Sequence, residues 1–249
     1  MKIHRIDQLL EVHAAYDASP LTAEIEAQVR AVWEAETESR GNTLFNGSVF
    51  SVTEWMPDTI RGTFIEYRRF LAQQRRPDLF RQLRICPLAV SGMIMSPGGL
   101  IFGRRSADLT TDTGRWELAP SGGINADVLT PSGAVDYMRQ FLSELVEELG
   151  IQEFQIARAK PIGLIEHEAT HVFDIVISGN VSLDLHQLDA AFHGASGEYS
   201  ELKLVPAADL QRFLTTHNGD VIPESVALLA HFGLATFHPA TTDPSAASA

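Results

Sequence analysis

Apolar residues recur along this chain at two periods, and the places where the period changes mark its elements. Leu21, Ile25, Val29 and Val32 fall at helical spacing in LTAEIEAQVRAVWEAETES, which predicts an amphipathic helix after Pro20. In NTLFNGSVFSVTEW, Asn46-Gly47 between apolar runs predicts a tight hairpin turn. GTFIEYRRFLAQQRRPDLF reads as a strand and then a helix closed near Pro77. ICPLAVSGMIMSPGGLIFGRRS predicts two strands joined at Ser96-Pro97-Gly98-Gly99. WELAPSGGI is a short strand and a glycine turn, followed by an irregular connection through Thr130 to Gly133. The helix after it carries Met138, Leu142, Leu145, Val146 and Leu149 on one side, with Gly150 placed as its stop. Val172, Phe173, Ile175, Val176 and Ile177 predict a buried central strand. LDLHQLDAAFHGASGEYSELKLVPAADLQRFL adds a short helix, a loop, a strand and a helix, and PESVALLAHFGL one more helix.

Strands interleaved with helices make this an α/β chain. The pattern predicts an N-terminal α+β accessory region over 1–82, a core domain over 83–236 and a disordered tail over 237–249, where the sequence turns to PATTDPSAASA. At 249 residues and 45% hydrophobic content there is ample material for a packed core. A formal charge of −13 excludes a nucleic-acid backbone as the main partner, so a phosphorylated ligand needs local cations. The single cysteine, Cys86, excludes an internal disulfide and fits a reducing cytoplasm. The N-terminus is too polar for a signal peptide and no apolar run reaches eighteen residues, so a cytoplasmic protein without a membrane partner is expected.

The candidate chemistry gathers on the helix before Gly150. Glu144, Glu147 and Glu148 fan over less than a third of its circumference, opposite the apolar stripe. Like charges at i, i+3 and i+4 repel. The run therefore reads either as a solvated face or as a grip on a hard divalent cation such as Mg²⁺. Gly122 and Gly123, just upstream, can offer backbone N–H groups to a diphosphate. Arg104 and Arg105 end a strand, and because neighbours on a strand point to opposite faces, at most one should reach a phosphate. His167-Glu168-Ala169-Thr170-His171 matches the zinc motif H-E-x-x-H. It lies between two strands, however, where the two histidines share no helical face, so zinc protease chemistry is not expected; Glu168 stays a candidate extra metal ligand or base. Ser196 to Glu201 is polar and glycine-containing, which suits a mobile active-site loop.

These residues resemble the signature of the Nudix hydrolases, G-x5-E-x7-R-E-U-x-E-E-x-G-U, where U is bulky and apolar. Glu144, Leu145, Glu147, Glu148, Gly150 and Ile151 match its second half, and WELAPSGGI resembles the strand and glycine turn that open it. Ser143 stands in place of the arginine, the glycine-to-helix connection is long, and the first glutamate falls on Val135, with Asp136 next to it. With LFNGSVF and GTFIEYRRFLA upstream, those features are similar to the UDP-sugar pyrophosphatase-like group. The resemblance implies an α/β/α sandwich on a mixed sheet and a pyrophosphatase using Mg²⁺ or Mn²⁺. It implies Glu144, Glu147, Glu148 and Asp136 as metal ligands, Glu198 or Glu201 as an acid that helps to activate the attacking water, and a UDP-sugar cleaved to UMP and sugar 1-phosphate. ADP-ribose or a dinucleotide as substrate, or a binding module with a decayed box, are the other readings. The expected partner is a small-molecule nucleotide, and the expected state a monomer or homodimer.

Overall fold

Two of the apolar runs lie side by side, Leu88–Ser96 parallel to Phe173–Val181, at the middle of an eight-stranded sheet among the described residues. The computed structural model describes residues 1–15, 20–41, 44–109, 111–193, 195 and 197–236; the expected tail and Ser196 of the expected loop lie outside them. In chain order the elements are β1 (Lys2–Arg5), β2 (Glu11–Ala14), α1 (Ala23–Ser39), β3 (Ser48–Met56), β4 (Thr59–Glu66) and α2 (Tyr67–Arg75). Next come α3 (Phe80–Leu83), β5 (Leu88–Ser96), β6 (Gly99–Arg105), β7 (Trp116–Leu118), β8 (Ser121–Gly123) and α4 (Tyr137–Leu149). The last six are β9 (Ile156–Glu166), β10 (Phe173–Val181), α5 (Leu185–Phe192), β11 (Tyr199–Val205), α6 (Leu210–Thr216) and α7 (Pro223–His231).

The main sheet runs β1-β9-β10-β5-β6-β11. β5 and β6 pair only near their shared turn, and then part to admit β7 against β6 and β8 against β5. Both faces are covered, which is why the central strands read as largely apolar runs rather than strict alternations. Val90, Ile94, Ile175 and Ile177 pack in one cluster with Phe141, Leu145 and Leu149 of α4 and Leu188 of α5. Met93, Phe102, Ile165 and Val176 pack on the other side with Leu210 and Phe213 of α6 and Leu228 and Leu229 of α7. The result is an α/β/α sandwich on a mixed sheet, as expected.

β2, β4 and β3 form a second, three-stranded sheet. Val12, Phe50, Val52 and Ile60 belong to the same apolar cluster as α4, and β3 is joined to the main body by Val52 N–H to Cys86 O at 2.7 Å and Phe50 N–H to Ile124 O at 3.0 Å. α1 and α2 bury Val29 and Ala72 against Leu79 in a small cluster of their own. β1, also from this N-terminal stretch, pairs antiparallel with β9 at the border of the main sheet.

The hairpin expected at Asn46-Gly47 forms elsewhere. β3 and β4 pair with Met56 opposite Thr59, so Pro57-Asp58 makes the turn. Asn46 Oδ1 instead accepts Arg68 N–H at 2.9 Å and the Gly47 carbonyl accepts Tyr67 N–H at 2.8 Å. The first amides of α2 lack helical partners, and these two acceptors satisfy them.

Candidate active site

α4 starts and stops where its sequence provides caps. Asp136 accepts Arg139 N–H at 2.9 Å, and Gly150 ends the helix at φ +69°, its N–H reaching back to Val146 O at 3.0 Å. A side chain at Gly150 would also strike the Ala191 carbonyl, 2.1 Å from an ideal Cβ. Between these caps Phe141, Leu145 and Leu149 are fully buried. The buried face is turned slightly from the expected one: Met138 and Leu142 are only half-buried, while Tyr137, Gln140 and Glu148 are buried.

That turn gives the three glutamates three environments. Glu147 is exposed, and its Oε1 accepts from Ser143 Oγ at 2.8 Å. Glu144 is half-buried beneath β8, where Gln140 Nε2 donates to its Oε1 at 2.6 Å. Gly122 makes room for it, because an ideal Cβ there would lie 2.1 Å from Glu144 Oε1. Glu148 is only 1% exposed. Its Oε2 accepts Ser121 N–H at 3.0 Å, while its Oε1 has no hydrogen-bond partner among the described residues.

Glu198, just ahead of β11, brings its carboxylate alongside Glu148. Burial raises Glu148 well above the usual carboxylate range, with Glu198 and Glu144 adding repulsion and Ser121 N–H opposing them. Glu144 is pushed up to about 7, first by burial and then by Glu147 and Glu198, against the hydrogen bond from Gln140. Carboxylates crowded in this way hold protons more tightly than in water.

Beside this cluster Glu117, 3% exposed, points inward from β7. Arg105 Nη1 donates to its Oε1 at 2.6 Å, and Tyr199 Oη donates to the same atom at 3.0 Å. Burial raises Glu117, while Arg105 and Tyr199 pull it back down.

The structure divides the candidates. Glu144, Glu147, Glu148, Glu198, Gly122 and Gly123 gather around one end of α4 and β8; nothing lies within 4 Å of an ideal Cβ at Gly123, leaving its backbone open. Asp136 caps the far end of α4, about 12 Å of helix rise from Glu144, with one oxygen committed to Arg139. Arg104 and Arg105 do point apart: Arg105 turns in to Glu117, and Arg104 lies exposed over the Trp116 ring, 3.8 Å from Glu201. Glu201 is exposed on that outer side, apart from Glu198. Among the described residues no three acidic, histidine or cysteine side chains are already drawn together as a ligand set. The His167 to His171 turn joins β9 to β10, as its placement between strands predicted. His167 faces Glu224, His171 stacks on Phe80, and Glu168 pairs with Lys2.

Sequence reasoning passed over Glu117, Tyr199, Ser91 and Asp174. A signal existed for the two acids, each a lone charge within an apolar strand (WEL and FDIVI). Asp174, 8% exposed, accepts from Ser91 Oγ through Oδ2, while its Oδ1 has no partner among the described residues. Burial pushes it up to about 7 against the Ser91 hydrogen bond, with Glu224 and Glu117 adding to the rise. It borders a cavity of about 250 Å³ on the α7 side of the sheet, together with Ser91, Arg105, Glu117, Ser121 and Glu224. Ser121 joins the two places, lining that cavity while its N–H holds Glu148.

No protein-family model and no curated protein matches the sequence. Solved structures do. The DR0079 protein of Deinococcus radiodurans superposes with a TM-score of 0.50 at 14% identity, over 74% of this chain and 98% of its own. The likeness is one of fold, an α/β/α sandwich on a mixed sheet. A MutT protein from Methanosarcina mazei is 22% identical over 58% of this chain and 90% of its own, with a TM-score of 0.41. An Ap4A hydrolase from C. elegans is 14% identical over 59% of this chain and 94% of its own, with a TM-score of 0.39. At these identities the likeness concerns the fold alone. Among the described residues no helix is long and apolar enough to cross a membrane.

Proposed function

We propose that the protein hydrolyses a diphosphate linkage in a nucleoside diphosphate derivative with the help of a divalent cation. The observation that carries this is the buried Oε1 of Glu148, without a hydrogen-bond partner among the described residues, beside the carboxylates of Glu144 and Glu198. Buried charge is kept where it is paired or coordinates a metal. A donor set made only of carboxylates fits a hard ion, Mg²⁺ or Mn²⁺, held by Glu144, Glu148 and Glu198 with Glu147 on the exposed side. Such an ion supplies charge neutralisation to a diphosphate and makes water more acidic.

The protein's own groups do the rest. Gln140 fixes Glu144 through Oε1, leaving Oε2 to take a proton from the attacking water. Ser121 N–H fixes Glu148 in the same way. The open backbone at Gly123 lets a phosphate approach closely. Arg105, locked to Glu117 and Tyr199, acts as a fixed positive group at the edge of the cavity rather than a mobile phosphate clamp. Within the general reaction we favour a UDP-sugar, cleaved to UMP and sugar 1-phosphate. The support is the sequence resemblance: Ser143 in the arginine position, the long connection after Gly123, and the motifs upstream.

The test is product analysis with UDP-glucose, ADP-ribose and diadenosine tetraphosphate in the presence of Mg²⁺. UMP and glucose 1-phosphate should appear, and Glu148→Gln should lower kcat by about a hundredfold or more. Unchanged turnover in both Glu147→Gln and Glu148→Gln would overturn the proposal.

A further inference from the structure

The cavity beyond Ser121 has a chemical bias of its own. Its donors are largely spent within the protein. Ser91 Oγ donates to Asp174, Ser121 N–H donates to Glu148, and Arg105 donates to Glu117 and, through Nε, to Thr111 O at 3.3 Å. Acceptors are left over. Asp174 Oδ1 has no hydrogen-bond partner among the described residues, and Glu224, about one-third exposed at the start of α7, lies 3.4 Å from His167. Apolar side chains close the space, among them Leu118, Val172, Ile222 and Leu228. A buried carboxylate oxygen without a donor is costly, and a ligand that brings one relieves that cost.

We infer that this cavity is the specificity pocket for the organic end of the substrate, and that Asp174 and Glu224 select a group presenting adjacent hydrogen-bond donors. The carboxylates of Glu117, Asp174 and Glu224 outnumber Arg105 along its lining and disfavour a phosphate there. About 250 Å³ between apolar walls admits one ring. Adjacent donors occur on the N–H and amino edge of a nucleobase and on the vicinal hydroxyls of a sugar. Both are met by the same carboxylates. The inference rests on the hydrolase reading only for where the phosphates lie.

Calorimetry on the full chain with Mg²⁺ tests it, using GMP, IMP, UMP and glucose 1-phosphate. None of these has a diphosphate to cleave, so binding is read apart from turnover. Asp174→Asn should weaken the tightest-bound probe about tenfold or more, and Glu224→Gln should weaken the same probe several-fold. GMP binding more tightly than IMP assigns the donors to a base edge. Glucose 1-phosphate losing most in Asp174→Asn assigns them to a sugar. Both outcomes support the inference. It is overturned if no probe binds the native protein at millimolar concentration, or if Asp174→Asn stays within twofold of native for every probe. Should Asp174→Asn fail to fold, Glu224→Gln decides, and a change within twofold overturns the inference. If Asp174→Asn weakens binding while the native protein cleaves no diphosphate, the hydrolase reading falls and the pocket stands. If Glu148→Gln abolishes cleavage while Asp174→Asn changes no affinity, the reverse holds.

Discussion

Raising the pH on the metal-free protein should cost it stability, and Glu144 sets much of the amount. Its carboxyl stands at about 7 in the folded chain against an ordinary 4.5. At roughly 1.4 kcal/mol per pH unit, that difference is worth about 3 kcal/mol. The folded state binds the proton more tightly than the unfolded chain does, so this contribution is fully present below pH 4.5 and is lost as the pH rises through about 7. Asp174, also at about 7, titrates across the same window and adds a loss of similar size. Glu144→Gln removes the first contribution and leaves the second. In urea unfolding with EDTA at pH 5, 6, 7 and 8, the native protein should weaken steadily. The variant should weaken less, with Asp174, Glu148 and Glu117 still contributing, and be the more stable of the two at pH 8, less about 1 kcal/mol for an altered hydrogen bond to Gln140. Equal pH slopes for native protein and variant would show that the carboxylate is not held in the dry, crowded place described.

Gly122→Ala should disarm the cluster without unfolding the chain. The new Cβ would fall 2.1 Å from Glu144 Oε1, so the carboxylate must swing away, and hydrolysis should drop about tenfold or more for a misplacement of this size, with far-ultraviolet dichroism unchanged. A fully active Gly122→Ala protein would contradict the placement. Arg105→Ala leaves Glu117 buried with only Tyr199 for support and should cost about 3–5 kcal/mol in urea unfolding at pH 8. The cost should be smaller at pH 5, where Glu117 can take a proton, and a loss that is the same at both pH values would argue against the pair.

Local order was legible in the sequence because it is set by neighbours. The caps Asp136 and Gly150 lie beside the helix they bound, and the period of Leu145 and Leu149 marks its buried face. Glu144, Glu147 and Glu148 were legible as a cluster for the same reason, but their unequal burial was not, since it depends on how α4 turns against β8. Long-range pairings left only half a signal. Asp174 stands out inside FDIVI, yet its partner Ser91 is 83 positions away. Glu198 and Glu201 look alike in the sequence. A register shift between Tyr199 and Glu201 in the β11–β6 pairing decides that one approaches Glu148 and the other faces Arg104. The hairpin at Asn46-Gly47 failed because the asparagine side chain met the open amides of α2, a competitor that lies 22 residues downstream.

β1 is only four residues long, and it has an effect out of proportion to its size. Lys2 to Arg5 pair with Glu166 to Gly163, so the last four residues of β9 have a partner on that side. Stripped of this strip, β9 would offer a bare ladder of amides and carbonyls, the usual template for one molecule to aggregate on another. Trimming the amino terminus would leave every carboxylate of α4 in the chain while baring those four residues of β9 to a neighbouring molecule.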